Sequence, residues 1–267
     1  MSTSLSVESI QTHCSAQARQ VAISIVAETG STNVDLLAVL GKLTGPSLLI
    51  AEAQTAGKGR AGRTWHSEPG ATLTFSLAWK FNLPAQALLG LPLAVGVVIA
   101  EALQQFGVNA CLKWPNDVLR DGNKMAGVLI ETANAKGSMA DMGDQVWAVI
   151  GIGINMVVRD QLAHLIGRPV AAAPNLQADR NRVLAVLLNG LVDAVSLFEA
   201  QGFKAFRDRW NSLHAYCGLS VEVVDRGQVL HEGLAVGVDD SGRLLLNMSG
   251  QQIAVVAGDV SLRRQDG

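Results

Sequence analysis

The run VWAVIGIGINMVV, Val146 to Val158, carries no charge and is dense in β-branched side chains. β-Branching favours the pleated backbone, and apolar residues stand at odd and even positions alike. The run therefore reads as a strand buried on both faces. A chain built on such a strand needs a sheet covered by other elements, and the flanking sequence supplies them. VAISIVAETG, SLLIAEAQ, TLTFSLAWKF, NACLKW and MAGVLIET read as further strands. In TLTFSLAWKF, Thr72, Thr74 and Ser76 fall on one face and Leu73, Phe75 and Leu77 on the other.

Helical periods lie between them. STNVDLLAVLGKL offers Ser31, Thr32 or Asn33 as the N-cap oxygen. A buried helix starts near Pro92 and runs to about Phe106. The stretch AQADRNRVLAVLLNGLVDAVSLFEAQG places Val183, Leu184, Leu187, Leu188, Leu191 and Val195 on one apolar face, and FKAFRDRWNSL reads as another helix. Several strands come in hairpin-like pairs, so the alternation predicts an α+β chain with a mixed sheet rather than a doubly wound one. From about Ala215, short strands separated by Arg226-Gly227, Asp240-Ser241-Gly242, Ser249-Gly250 and Ala257-Gly258 predict a small SH3-like β-barrel. The expected division is a polar N-terminal extension over 1–20, a main domain over 21–213 and the barrel over 214–267.

Composition closes off several classes. With 49% hydrophobic and 16% charged residues the chain is globular, and a net charge of −2 gives no global reason to bind nucleic acid or a membrane surface. Cys14, Cys111 and Cys217 are scattered, as are His13, His66, His164, His214 and His231. Neither a disulfide framework nor a zinc site follows, and a cytoplasmic setting is expected. The first 20 residues lack the basic and apolar regions of a signal peptide. The uncharged run Ala85–Ala100 is too short and too interrupted for a membrane span, so it is expected to be the buried helix.

The chemistry gathers around AEAQTAGKGRAGRTW, where Gly57, Gly59 and Gly62 interleave with Lys58, Arg60 and Arg63. Gly57-x-Gly59-x-x-Gly62 fits a dinucleotide fingerprint, but no helix follows and no acid stands about 20 residues on. Gly57 to Thr64 is one substitution from a Walker A loop and again lacks its helix. What remains is a basic glycine loop able to close over an anion, or a solvated turn. Further on, KWPND puts Lys113 at a strand end, suited to phosphate oxygens, and Asp117 where it can hold Mg²⁺ through water. Lys124 opens the strand KMAGVLIE, and GIGIN ends the buried strand in Asn155, suited to a base edge.

In the order STN, GKGRAGRTW, KWPND, KMAGVLIE, GIGIN and GDVSLR, these blocks resemble the biotin–protein ligases from about Val21 to Arg263. The resemblance implies a class II aminoacyl-tRNA synthetase-like mixed sheet followed by an SH3-like barrel. It also implies a reaction: biotin and MgATP give biotinyl-5′-AMP, and a lysine of biotin carboxyl carrier protein then takes the biotin. It assigns Lys124 and Arg60 to the reacting carboxylate and α-phosphate. It assigns Ser31, Thr32, Asn33, Gln54, Gly57, Lys58, Trp65 and Gly127 to the biotin side. Arg63, Lys113, Asn116 and Asn155 join them on the ATP side, with Asp117 for Mg²⁺. Family loops read closer to GRGRRGR, so Lys58 and Ala61 are departures expected to weaken retention of the adenylate. With its first motif at Ser31, the chain is expected to be monofunctional and not to bind specific DNA, as a monomer or homodimer. A lipoate or octanoate ligase on the same scaffold, and a non-catalytic biotin-binding module, are the rival readings.

Overall fold

The computed structural model describes residues 4–134, 145–158, 169–258 and 260–265. The uncharged β-branched run is the strand β7 (Val146–Asn155), inside a seven-stranded sheet. The other strands are β1 (Ala22–Thr29), β2 (Ser47–Gln54), β3 (Thr72–Phe81), β4 (Cys111–Lys113), β5 (Asp117–Arg120) and β6 (Asn123–Asn134). Their order is β1-β2-β3-β7-β6-β5-β4, with β1 and β2 parallel and every other pair antiparallel, so the sheet is mixed as expected. β5 is not among the strands expected from the sequence; it is closed onto β6 by Asp121 and Gly122 in left-handed conformation.

The two faces of the sheet do different work. Phe75, Leu77, Ile150, Ile152 and Val128 point into the main core beneath α3 (Leu91–Gln104) and α4 (Arg180–Gln201). The uncharged run is thus the 3₁₀ turn Ala85–Leu88 and helix α3, packed into that core. On the other face lies the short α2 (Thr32–Val39), which with Leu36, Leu40, Trp147 and Val149 makes a second, smaller core. The hydroxyl face of β3 is not exposed: Thr72, Thr74 and Ser76 are buried, Thr72 donating to Glu68 O, Thr74 to Ala51 O, and Ser76 meeting Thr32 and Asn33 of α2. The cap of α2 also differs from expectation. Ser31 is the N-cap residue but its hydroxyl caps nothing; the Thr32 N–H donates instead to Gln54 Oε1 at the end of β2, 2.8 Å away.

The first 20 residues are not an extension. α1 (Val7–Thr12) buries Ile10, and Cys14 and Ala18 join the main core. Asn181 and Asn189 of α4 accept from the Ser6 and Ser15 N–H groups and donate to the Ser4 and His13 carbonyls, tying this segment to the helix at both ends. The polar composition misled because the two amides pair with main chain, which no side-chain pattern reveals.

After α4, a 3₁₀ turn at Phe203–Ala205 and α5 (Arg207–Ser212) lead to a five-stranded antiparallel sheet. It comprises β8 (Ser220–Asp225), β9 (Gln228–Val238), β10 (Leu244–Met248), β11 (Gln251–Val255) and β12 (Val260–Arg264), in the order β11-β10-β9-β8-β12. A seam joins β4 to the segment between α5 and β8, where the Leu112 N–H donates to Leu213 O and the Ala215 N–H to Leu112 O.

His214 sits in that seam, its ring 4.7 Å from that of Trp210. Among the described residues neither ring nitrogen has a partner, and burial pushes its pKa down to about 4. The folded protein holds the ring neutral while the unfolded chain takes a proton from ~6.5 downwards. The unfolded state therefore binds more protons between those values, so stability falls as pH drops through this window, by about 3 kcal/mol in all. The His214→Phe variant is expected to lose that part of the acid sensitivity; denaturant midpoints at pH 7 and pH 4.5 that change equally in both proteins would refute it.

Candidate functional site

The site lies on the α2 face of the sheet, and its floor is made of glycine. Gly127 of β6 pairs directly with Gly153 of β7, and Gly151 stands two residues away. A Cβ at 153 would lie 2.2 Å from the Trp65 ring, and one at 151 would lie 2.3 Å from Asn33 Oδ1. These glycines are therefore where side chains from elsewhere lie against bare backbone. A Gly153→Ala change is expected to push Trp65 off the floor at a cost of roughly 1–3 kcal/mol in stability; denaturant unfolding with an unchanged midpoint would show that the floor is not a contact surface.

The glycine loop is a tight hairpin. The Trp65 N–H donates to Gly57 O at 2.8 Å, the Gly59 N–H to Arg63 O at 2.7 Å, and Lys58 bridges Thr64. Gly57 is needed where the strands cross, since a Cβ there would meet Trp65 O at 2.4 Å. Ala61 and Gly62 turn the tip with φ of 53° and 70°, so Ala61 holds a conformation that glycine adopts more easily. Arg60 fastens the hairpin: Nη1 donates to Asn116 Oδ1 at 2.9 Å, and Nη2 donates to the Gly258 carbonyl of the C-terminal sheet.

KWPND forms the opposite wall. Lys113 and Asp117 are register partners of β4 and β5, and the Trp114-Pro115 peptide between them is cis. Trp114 is buried and its Nε1 donates to Gly242 O, so the turn is anchored to the C-terminal sheet. Asn116 donates to Val128 O at 2.8 Å, which presents its Oδ1 to Arg60. Lys124 reaches the same place through a bulge. Val118 pairs with Ala126 but Leu119 pairs with Lys124, leaving Met125 extra and turning Lys124 toward the site. Its Nζ lies 2.5 Å from Asp117 Oδ1 and 5.9 Å from the Trp65 ring centroid.

Two cavities share this junction. The larger, about 740 Å³, is lined by the hairpin tip, Lys113, Asp117, Asn155 and Arg263. The smaller, about 50 Å³, is lined by Ser31, Thr32, Asn33, Gln54, Lys58 and Gly127. Arg60, Trp65, Asn116 and Lys124 line both. Every site residue expected from the sequence thus falls in one place, with Arg63 exposed at the rim and Gly57 shaping the hairpin from outside. His164 and Asp259 lie outside the described residues. Among those described, no three His, Cys, Asp or Glu side chains form a metal cluster, and the Asp117 carboxylate is engaged by Lys124.

The sequence reading missed Ser76, His66, Val170 and Tyr216. His66 and Val170 line the larger cavity, and Lys113 Nζ lies 5.7 Å from the Tyr216 ring centroid. Ser76 carried a faint signal, as the third hydroxyl on the polar face of an alternating strand. The others reach the site only through tertiary packing.

The sequence matches the biotin/lipoate A/B protein ligase family over residues 25–155 and the biotin protein ligase C-terminal domain over residues 216–263. It is 34% identical to the bifunctional ligase/repressor BirA of Escherichia coli, over 90% of this chain and 74% of that one. It is 35% identical to the biotin–[acetyl-CoA-carboxylase] ligase of Mycobacterium tuberculosis, over 89% of this chain and 88% of that protein. The fold resembles the Aquifex aeolicus biotin protein ligase solved with biotin and ATP, at a TM-score of 0.75 and 29% identity over 91% of this chain and 99% of that one. Likeness of this extent runs through both sheets and the site between them, and the chain belongs to the biotin–protein ligase family.

Proposed function

We propose that the chain is an ATP-dependent ligase that activates biotin as biotinyl-5′-AMP and transfers it to a lysine of biotin carboxyl carrier protein. The observation that carries this is the pair of cavities meeting at Arg60 and Lys124. The biotin carboxylate attacks the α-phosphorus itself, so the protein needs no nucleophile. Its task is to bring two anions together, align them and stabilise the added charge.

In this reading the bicyclic ring takes the smaller cavity, against Ser31, Thr32, Asn33 and Gln54, with Gly57 and Lys58 on the hairpin side. That cavity is too small for it while Trp65 lies on Gly153, so the ring displaces the indole, which then closes over it. ATP takes the larger cavity, with Asn116 and Asn155 toward the nucleoside and Arg63 and Lys113 toward the departing pyrophosphate. Lys124 and Arg60 face the carboxylate and the α-phosphate. Asp117 fits Mg²⁺ arriving with ATP, since one carboxylate beside phosphate oxygens and water is a common Mg²⁺ donor set, and Lys124 must then leave it. The domain division is 21–213 for the catalytic part, of class II synthetase-like architecture, and 214–267 for an SH3-like barrel. α1 supports the first from outside it. Dependence on ATP favours a cytoplasmic setting.

The test is pyrophosphate release with biotin or with lipoate, followed by label transfer to a carrier domain. Release with biotin alone, and transfer only when the acceptor lysine is present, is the expected result. Release with lipoate alone would move the substrate to the rival acid, and no release with either would leave a binding module.

A further inference from the structure

We propose that Glu131, which lines neither cavity, is a positioning residue that fixes which way the hydroxyl groups of the acid-binding wall point. The inference rests on biotin being the acid.

Glu131 on β6 accepts a hydrogen bond from Asn33 Nδ2 at 2.8 Å, and Leu129 O accepts more weakly from the same nitrogen at 3.4 Å. A carboxylate only accepts, so the Asn33 amide cannot turn over without facing oxygen with oxygen. Asn33 Oδ1 is thereby committed to the other side, where the Ser76 hydroxyl donates to it at 2.6 Å. Ser76 has one proton, and Asn33 holds it. The next contact, Thr32 Oγ1 to Ser76 Oγ at 2.7 Å, must therefore use the Thr32 proton. Among the described residues, Gln54 Oε1, 3.1 Å from Thr32 Oγ1, is the other hydrogen-bond acceptor of that proton and also belongs to the wall. Either way the Thr32 proton points inward, and the hydroxyl offers lone pairs to the cavity.

Gln54 is fixed by the same logic. Its Oε1 receives the Thr32 N–H, so its Nε2 faces the hairpin, 3.1 Å from where a Cβ of residue 57 would stand. The wall thus presents a donor at Gln54 and an acceptor at Thr32, complementary to the C=O and N–H of a cyclic urea. Thr32, Asn33 and Ser76 are all buried, so water does not scramble the order, and a chain of bonds in low dielectric reinforces its own direction. Without Glu131 the Asn33 amide is free to turn and donate to Ser76. Ser76 then donates to Thr32 and occupies a lone pair otherwise open to the ligand N–H, while the Thr32 proton turns to Gln54 Oε1.

The prediction separates acid recognition from everything else. Glu131→Met keeps the bulk and removes the acceptor; its KM for biotin is expected to rise roughly tenfold or more, the scale of one charge-assisted hydrogen bond. The KM for ATP and the kcat at saturating biotin are expected to stay within about twofold. Glu131→Gln can still accept through Oε1 and is expected to restore most of the affinity. An unchanged biotin KM in Glu131→Met would overturn the proposal. So would a Gln variant as weak as the Met variant, or a joint fall of kcat and both affinities with the melting temperature, which marks a merely structural role. A wild-type protein that does not turn over biotin would instead remove the ligase reading, and this inference with it.

Discussion

Replacing Lys124 by alanine is expected to slow adenylate formation by ~10²–10³-fold, the usual cost of removing one charge-stabilising group at a reacting centre. The reason lies in its position. Lys124 borders both cavities, held between Asp117 and the Trp65 face on a bulge that leaves its ammonium little choice of direction. The attacking carboxylate and the α-phosphate are both anionic, and the charge on phosphorus oxygens grows as they join. A cation that touches both lowers the barrier more than it tightens the ground state. The loss should therefore appear in kcat more than in KM for either substrate. Lys124→Arg keeps the charge, but its planar fork is larger than an ammonium packed 3.0 Å from the position of a Gly127 Cβ, so only partial recovery is expected. Single-turnover pyrophosphate release is the measurement, and a Lys124→Ala variant at the wild-type rate would remove Lys124 from the reaction.

Lys124 also shows what was legible before the fold was known. Its place in KMAGVLIE, beside the hairpin and KWPND, was enough to gather it into the site. The bulge at Met125 that aims it was not visible, because a bulge is a property of the pairing and not of one strand. The same divide runs through the fold. The buried strand β7, the apolar helices α3 and α4 and the C-terminal run of short strands declare themselves by local periodicity. The docking of residues 4–20, the cap that Gln54 supplies to α2 and the burial of the β3 hydroxyl face depend on polar partners far away in sequence. The glycines are the instructive case. In sequence they suggested mobility in the hairpin and a base-reading end to β7. In the structure Gly57, Gly151 and Gly153 are contact positions, each vacating space for a named side chain or carbonyl.

A second large effect is expected far from the chemistry, at Glu52. Arg180 is the first residue of α4 and only 3% exposed, at the positive end of a helix where a cation is disfavoured. Glu52 on β2 offsets this with a two-pronged pair, accepting from Nη1 at 2.6 Å and from Nη2 at 2.9 Å. Glu52→Ala takes both of these charge-assisted hydrogen bonds from a buried guanidinium and is expected to cost about 3 kcal/mol, which lowers the melting temperature by roughly 5–10 °C. That cost is the penalty of breaking the pair and not its net worth. Replacing both residues by leucine removes the charge along with its partner, and should restore most of the stability. The two outcomes bear on function differently. If the double variant is stable and its ligase rate is normal, the ion pair only seats α4 on the sheet. If it is stable but slow, the pair also holds the end of β2, and hence Gln54, in register with α2. A Glu52→Ala protein within about 1 kcal/mol of the wild type in denaturant unfolding would show that Glu52 is not what compensates the buried guanidinium.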